Sequence, residues 1–149
     1  MVLLCLYLCI LSKQILFKFL PLQVIVNHLT LNFEGELFWG RQNFIPFKTI
    51  SYYLFSATDL SSRVRIENLA GNVIGFMPFG FLVPLLSRKL NLKAITLATF
   101  FLSLTFELIQ LIFRLGSFDV DDLILNTLGG VLGYLLISLI FTFLRYIRK

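Results

Sequence analysis

The sequence predicts an all-α polytopic membrane protein of about four transmembrane helices, with a long outer loop between the first and second. Two observations carry this. Hydrophobic residues make up 58% of the 149-residue chain and charged ones only 14%, against about 45–50% and about 25% in an ordinary soluble domain. A soluble fold of this size cannot hide so much apolar surface from water. The lysines and arginines behind the +5 net charge cluster beside apolar runs, as at membrane flanks and not as on a nucleic-acid-binding face. The length suits one domain, residues 1–149, with helices expected over about 1–20, 68–87, 94–113 and 122–144.

The first segment is apolar except for Ser12, Lys13, Gln14 and Lys18. Its twelve residues before Lys13 reach only about 18 Å as a helix, short of the roughly 30 Å hydrocarbon core. Lys13 and Lys18 must therefore snorkel to an interface for it to span. A signal peptide fits less well, because a basic start and a small-x-small cleavage site are missing. Residues 21–67 change character. Asn27, His28, Asn32, Glu34 and Glu36 interrupt any spanning run, and Gly35, Gly40 and Pro46 break helices. The recurring aromatics (Phe33, Phe38, Trp39, Phe44, Phe47, Tyr52, Tyr53, Phe55) suit the headgroup zone, so the segment reads as a loop on one membrane face.

Residues 68–87 carry no charge between Glu67 and the pair Arg88-Lys89. Asn68 and Asn72 share a face one turn apart, Gly71 and Gly75 offer a ridge for close helix approach, and Pro78 predicts a kink. After the basic connection RKLNLK, the third helix has Glu107 as its only charge, and Glu107, Gln110 and Arg114 fall on one face. The fourth helix is uncharged from Asp122 to Arg145, with Asp122, Asn126, Gly130 and Gly133 along one side and Gly129 with Gly133 as a second ridge. Arg88, Lys89 and Lys93, then Arg145, Arg148 and Lys149, mark the inner side, whereas the third-to-fourth connection has Arg114 alone. Both termini are thus expected to be cytoplasmic.

With that topology Glu67, Asn68, Asn72, Glu107, Gln110, Arg114, Asp119, Asp121, Asp122 and Asn126 gather toward the outer face. Glu107 carries the functional expectation: a carboxylate inside the bilayer costs several kcal/mol unless paired or protonated, and Arg114 or a bound cation is the expected partner. Asp122 also reads as a helix N-cap, Asn72 and Asn126 as interhelical glue, and Arg114 as an interfacial anchor. The spacing D-x-D-D of Asp119, Asp121 and Asp122 suits a divalent cation with a phosphate co-ligand, although no calcium-loop glycine or terminal Glu follows. Cys5 and Cys9 lie in an apolar segment and His28 is alone, which argues against zinc and histidine triads. No nucleotide-binding or serine-hydrolase motif is present.

The segments ENLAGNVIGFMPFGFLVPLL, FELIQ and GSFDVDDLILNTLGGVLGYLL resemble the VanZ-like family of small bacterial membrane proteins, and RQNFIPFKTI resembles its R-x-x-N-x-x-P-F element with one residue fewer between Arg41 and Asn43. The resemblance covers nearly the whole chain and departs at the start, where family members usually have a longer first helix. It implies a multi-pass protein of the bacterial plasma membrane, of the type linked to lowered susceptibility to teicoplanin-like glycopeptides. The family's motif residues fall here on Arg41, Asn43, Pro46, Asn68, Gly71, Asn72, Pro78, Gly80, Glu107, Gln110, Asp119, Asp121, Asp122, Asn126, Gly129 and Gly130.

Three functional readings follow. In the first, an enzyme acts on a lipid-linked envelope substrate, with Glu107, Asp119 and Asp122 as catalytic candidates and a divalent cation held by Asp119 and Asp122. Arg41 and Arg114 would then bind phosphate or carboxylate, with Asn43, Asn68, Asn72, Gln110, Asp121 and Asn126 completing the substrate contacts. In the second, a binding protein sequesters the glycopeptide antibiotic or masks its lipid-linked target. In the third, the polar residues only lock the helices together. The lipid bilayer is the expected partner in all three, nucleic acid in none, and the oligomeric state is left open.

Overall fold

A computed structural model of the chain describes residues 1–17, 20–33, 42–87 and 90–148. Among them are six α-helices: α1 (Val2–Leu16), α2 (Leu22–Leu29), α3 (Lys48–Ser51), α4 (Ser62–Leu86), α5 (Leu92–Phe113) and α6 (Val120–Ile147). A π-helical turn, Tyr52–Ser56, extends α3.

Three of these helices, α4, α5 and α6, are long and apolar enough to cross a membrane. Their 25, 22 and 28 residues give about 33–42 Å of rise. Helix α1 is apolar but has 15 residues, or about 22 Å. Only 17–28% of the most apolar window of each long helix is buried within the molecule, so side chains such as Ile74, Phe101, Ile112 and Leu139 face outward. The bundle interior holds polar side chains among its apolar ones, with Thr99, Ser103, Glu107, Asp121 and Asn126 all buried. A greasy exterior with polar groups kept between the helices is the arrangement of a membrane protein.

Helix ends follow local capping. Helix α4 begins at Ser62, ahead of the expected Asn68, because the Ser61 side chain accepts the Val64 N–H and moves the start upstream. Pro78 and Pro84 both lie inside it. Asn91 caps α5 by accepting the Ala94 N–H at 2.9 Å. At the start of α6 the cap is Asp119, which accepts the Asp121 N–H at 2.8 Å; Asp122, a capping candidate by sequence, lies inside the first turn.

The short connections α4–α5 and α5–α6 make successive helices reverse direction. The start of α4, the end of α5 and the start of α6 therefore share one end of the bundle, here termed the loop end. Helix α1 lies against α4 and α5: the Tyr7 hydroxyl donates to the Gly75 carbonyl at 2.7 Å, and the Gln110 amide donates to the Ile15 carbonyl at 3.0 Å. Leu11, Leu16, Phe76, Phe106 and Leu115 form the apolar core beneath this contact.

Helices α4 and α6 touch backbone to backbone. A Cβ added at Gly129 would strike the Val73 carbonyl, one at Gly133 the Met77 carbonyl, and one at Gly80 the Gly130 carbonyl. The Gly129/Gly133 ridge is thus a packing seam, completed from α4 by Gly80. The Gly71/Gly75 ridge is not: nothing lies within 4 Å of a Cβ at Gly71, and Gly75 meets only the Leu11 side chain at 3.8 Å. We expect Gly133→Val to destabilise the protein by about 1–3 kcal/mol through overpacking, and Gly71→Ala to be neutral. Thermal unfolding of both variants in detergent checks this.

Candidate functional site

The site begins with a clamp between two segments far apart in sequence. Asn43 and Asp119 form a one-residue parallel β-bridge, in which the Asn43 N–H donates to the Phe118 carbonyl at 2.8 Å and the Val120 N–H to the Asn43 carbonyl at 3.0 Å. The Phe118 N–H donates to the Gln42 side-chain oxygen, and the Phe44 and Phe118 rings stack with centroids 5.1 Å apart.

Carboxylates secure the rest of the loop. Asp121 has no exposed surface. One of its oxygens accepts the Phe47 N–H at 2.5 Å, and the other accepts the N–H groups of Thr49 and Ile50 at 2.7 and 3.1 Å. It thereby caps α3 from another helix, at a turn where Phe47 is left-handed (φ 65°). Asp119 accepts from the Asn43 amide at 2.8 Å and the Thr49 hydroxyl at 2.5 Å. Glu107, 2% exposed, accepts the Asp119 N–H at 2.8 Å. Asp122 accepts from the Asn72 amide, joining α6 to α4.

Beneath the clamp lies a cavity of about 600 Å³ bounded by α1, α4, α5, α6 and the α3 turn, of a size that suits a small ligand. Seven of the eleven sequence candidates line it: Asn68, Asn72, Glu107, Gln110, Asp119, Asp122 and Asn126. The Asn126 amide donates to Ser103 at 2.8 Å, while its buried Oδ1 has no hydrogen-bond partner. Tyr7, Gln14, Thr49, Tyr53 and Ser117 also line the cavity and were not singled out from sequence. Burial of the Tyr53 ring, then the nearby charge of Asp122, raises the pKa of its phenol above the ordinary value, so it stays a proton donor.

The remaining candidates sit elsewhere. Asn43 and Asp121 belong to the clamp and do not line the cavity. Arg114 is not beside Glu107: it ends α5 in a left-handed conformation (φ 51°), off the helical face, with its guanidinium 4.2 Å from the centre of the Phe33 ring. Arg41 lies outside the described residues, as does Trp39. Among the described residues no three acidic, His or Cys side chains are grouped to hold a metal ion. The D-x-D-D aspartates instead divide their bonds among the loop, α3 and Asn72.

The VanZ/LLP1 family model matches residues 3–142. The chain belongs to the VanZ/LLP1 family. It is 38% identical to Protein VanZ of Enterococcus faecium over 82 residues, 55% of this chain and 51% of that protein. The match therefore spans about half the length of this VanZ relative. No solved structure matches the chain.

The clamp predicts that Asp121→Asn releases the loop. Losing a charged acceptor for three N–H groups should cost about 3 kcal/mol, read as faster hydrogen exchange over residues 43–51 while the α4–α6 seam stays protected.

Proposed function

We propose that this VanZ-family protein lies in the bacterial plasma membrane with both termini cytoplasmic and lowers susceptibility to teicoplanin-type glycopeptides. It acts through the cavity at its loop end, which faces outward. The observation that carries this reading is the convergence of Glu107, Asp119 and Asp122 on one cavity beneath the clamp. In this reading Glu107 is the acid or base acting on a lipid-linked envelope substrate. Its burial keeps bulk water away from the proton transfer, and the Asp119 N–H orients it. Asp122, oriented by Asn72, is the second carboxylate, and Tyr53 supplies a donor. The phosphate clamp of Arg41 and Arg114 has no support from the described residues, because Arg114 does not line the cavity.

A second reading, capture without turnover, is favoured by the cavity's mixed lining. Polar groups occupy the loop end, and Ile10, Leu11, Ile74 and Leu125 line the part beyond it. That is a shape for an amphiphile, whether or not a bond is broken.

The test is teicoplanin susceptibility of cells carrying Glu107→Gln or Asp122→Asn at equal membrane abundance, together with profiling of their lipids and wall precursors. Catalysis predicts that either variant loses protection and that a wild-type-specific envelope product disappears, since removing a general acid or base typically costs 10²–10⁴-fold in rate. Lost protection with an unchanged profile selects capture. Full protection by both variants rules out a role for the carboxylates.

A further inference from the structure

The charge balance of the cavity bears on what it binds. Glu107, Asp119 and Asp122 face it from α5, the turn and α6, and Glu67 stands at its rim. Glu67 is paired with Arg63 at 2.6 Å, on the exposed first turns of α4. Among the described lining residues there is no lysine, arginine or histidine to balance the other three. Asp119 has most of its acceptor capacity filled by Asn43, Thr49 and the α6 N-terminus. Glu107 and Asp122 keep more capacity, with one hydrogen bond each from the Asp119 N–H and the Asn72 amide.

Asn126 points the same way independently. It is 4% exposed, lines the cavity, and its Oδ1 is buried with no partner. An unmet buried acceptor costs about 1–3 kcal/mol and calls for a donor. The unfilled groups buried in this cavity are thus acceptors, while Gln14, Tyr53 and Ser117 offer donors on its less buried side, and the acidic groups are too dispersed to bind one metal ion among the described residues. A multivalent organic donor fits that spread better than a point ion. At the far end, Ile10, Ile74 and Pro78 line the cavity while being exposed on the bundle surface, so the cavity opens sideways between α1 and α4.

We propose that the cavity takes an acyl-chain amphiphile whose head carries a primary ammonium, the head among Glu107, Asp122 and Asn126 and the chain leaving between α1 and α4. This rests on the cavity being the working site proposed above and names its ligand class. An ammonium supplies three donors to these acceptors, and its attraction to carboxylates strengthens where water is excluded. A head that carries phosphate or carboxylate and no ammonium lacks that donor set.

The test uses the full-length protein in phosphatidylcholine nanodiscs, with native mass spectrometry counting bound dodecylammonium against dodecyl phosphate, two probes of equal chain length. The wild type should retain the ammonium probe at least tenfold more tightly, and Glu107→Gln should reduce that binding about tenfold. Equal or tighter binding of the phosphate probe by the wild type overturns the proposal without reference to any variant. Displacement of dodecylammonium by phosphatidylethanolamine assigns the ligand to membrane lipid, and displacement by teicoplanin assigns it to the acylated antibiotic; displacement by neither overturns the proposal. If cells with Glu107→Gln keep full glycopeptide protection while the wild type still prefers the ammonium probe, the function fails and the ligand class stands. If protection is lost but the phosphate probe binds equally well, the ligand class fails and the function stands.

Discussion

A fully buried carboxylate, Asp121, holds three backbone N–H groups of a segment more than seventy residues away, and the loop end depends on that bond set. Burying a charge costs several kcal/mol unless hydrogen bonds replace its water. Here the donors are main-chain groups fixed by the α3 turn, so the carboxylate and the turn impose geometry on one another. Asp119, two residues earlier, repeats the arrangement with Asn43 and Thr49. Its own N–H reaches Glu107, so loop position and Glu107 orientation are linked through a single residue.

The second constraint is the glycine seam. Gly80, Gly129 and Gly133 bring α4 and α6 together until only backbone separates them. That contact sets the distance at which Asn72 meets Asp122. Above the seam the helices have more room: a Cβ at Gly71 would meet no other element within 4 Å, and Gly71 lines the cavity. Close packing along one stretch and its absence along the next produce a pocket inside a bundle of very short connections.

Much of this was legible in the sequence, for physical reasons. Charge-free runs of helix length revealed α4, α5 and α6, and most of the polar residues that the sequence gathers toward one end line the cavity there. The small-xxx-small pattern located the Gly129/Gly133 seam but suggested the same for Gly71/Gly75, because spacing tells which backbones can come close and not which do. Placing Arg114 beside Glu107 assumed a helix that continues through Arg114; α5 stops at Phe113. The division of labour among three nearly adjacent aspartates was hidden, since each one's role is set by a partner distant in the chain. Tyr53 lies in an aromatic stretch that suits a membrane flank, and Tyr7 and Thr49 carry no pattern of their own, so only the fold shows that these three line the cavity.

The central claim is that the loop around Asn43 is clamped on the start of α6 by the Asp119 and Asp121 carboxylates, and that this clamp orients Glu107 through the Asp119 N–H. Cross-linking in native membranes by a short bifunctional maleimide tests it directly, using a chain with Phe44→Cys and Phe118→Cys, and with Cys5 and Cys9 replaced by serine. The two rings stack with centroids 5.1 Å apart, so both cysteines fall within the reagent's span and rapid, near-complete cross-linking is expected, falling sharply when Asp121→Asn is added. Slow, partial cross-linking that Asp121→Asn leaves unchanged would contradict the clamp and the site built beneath it.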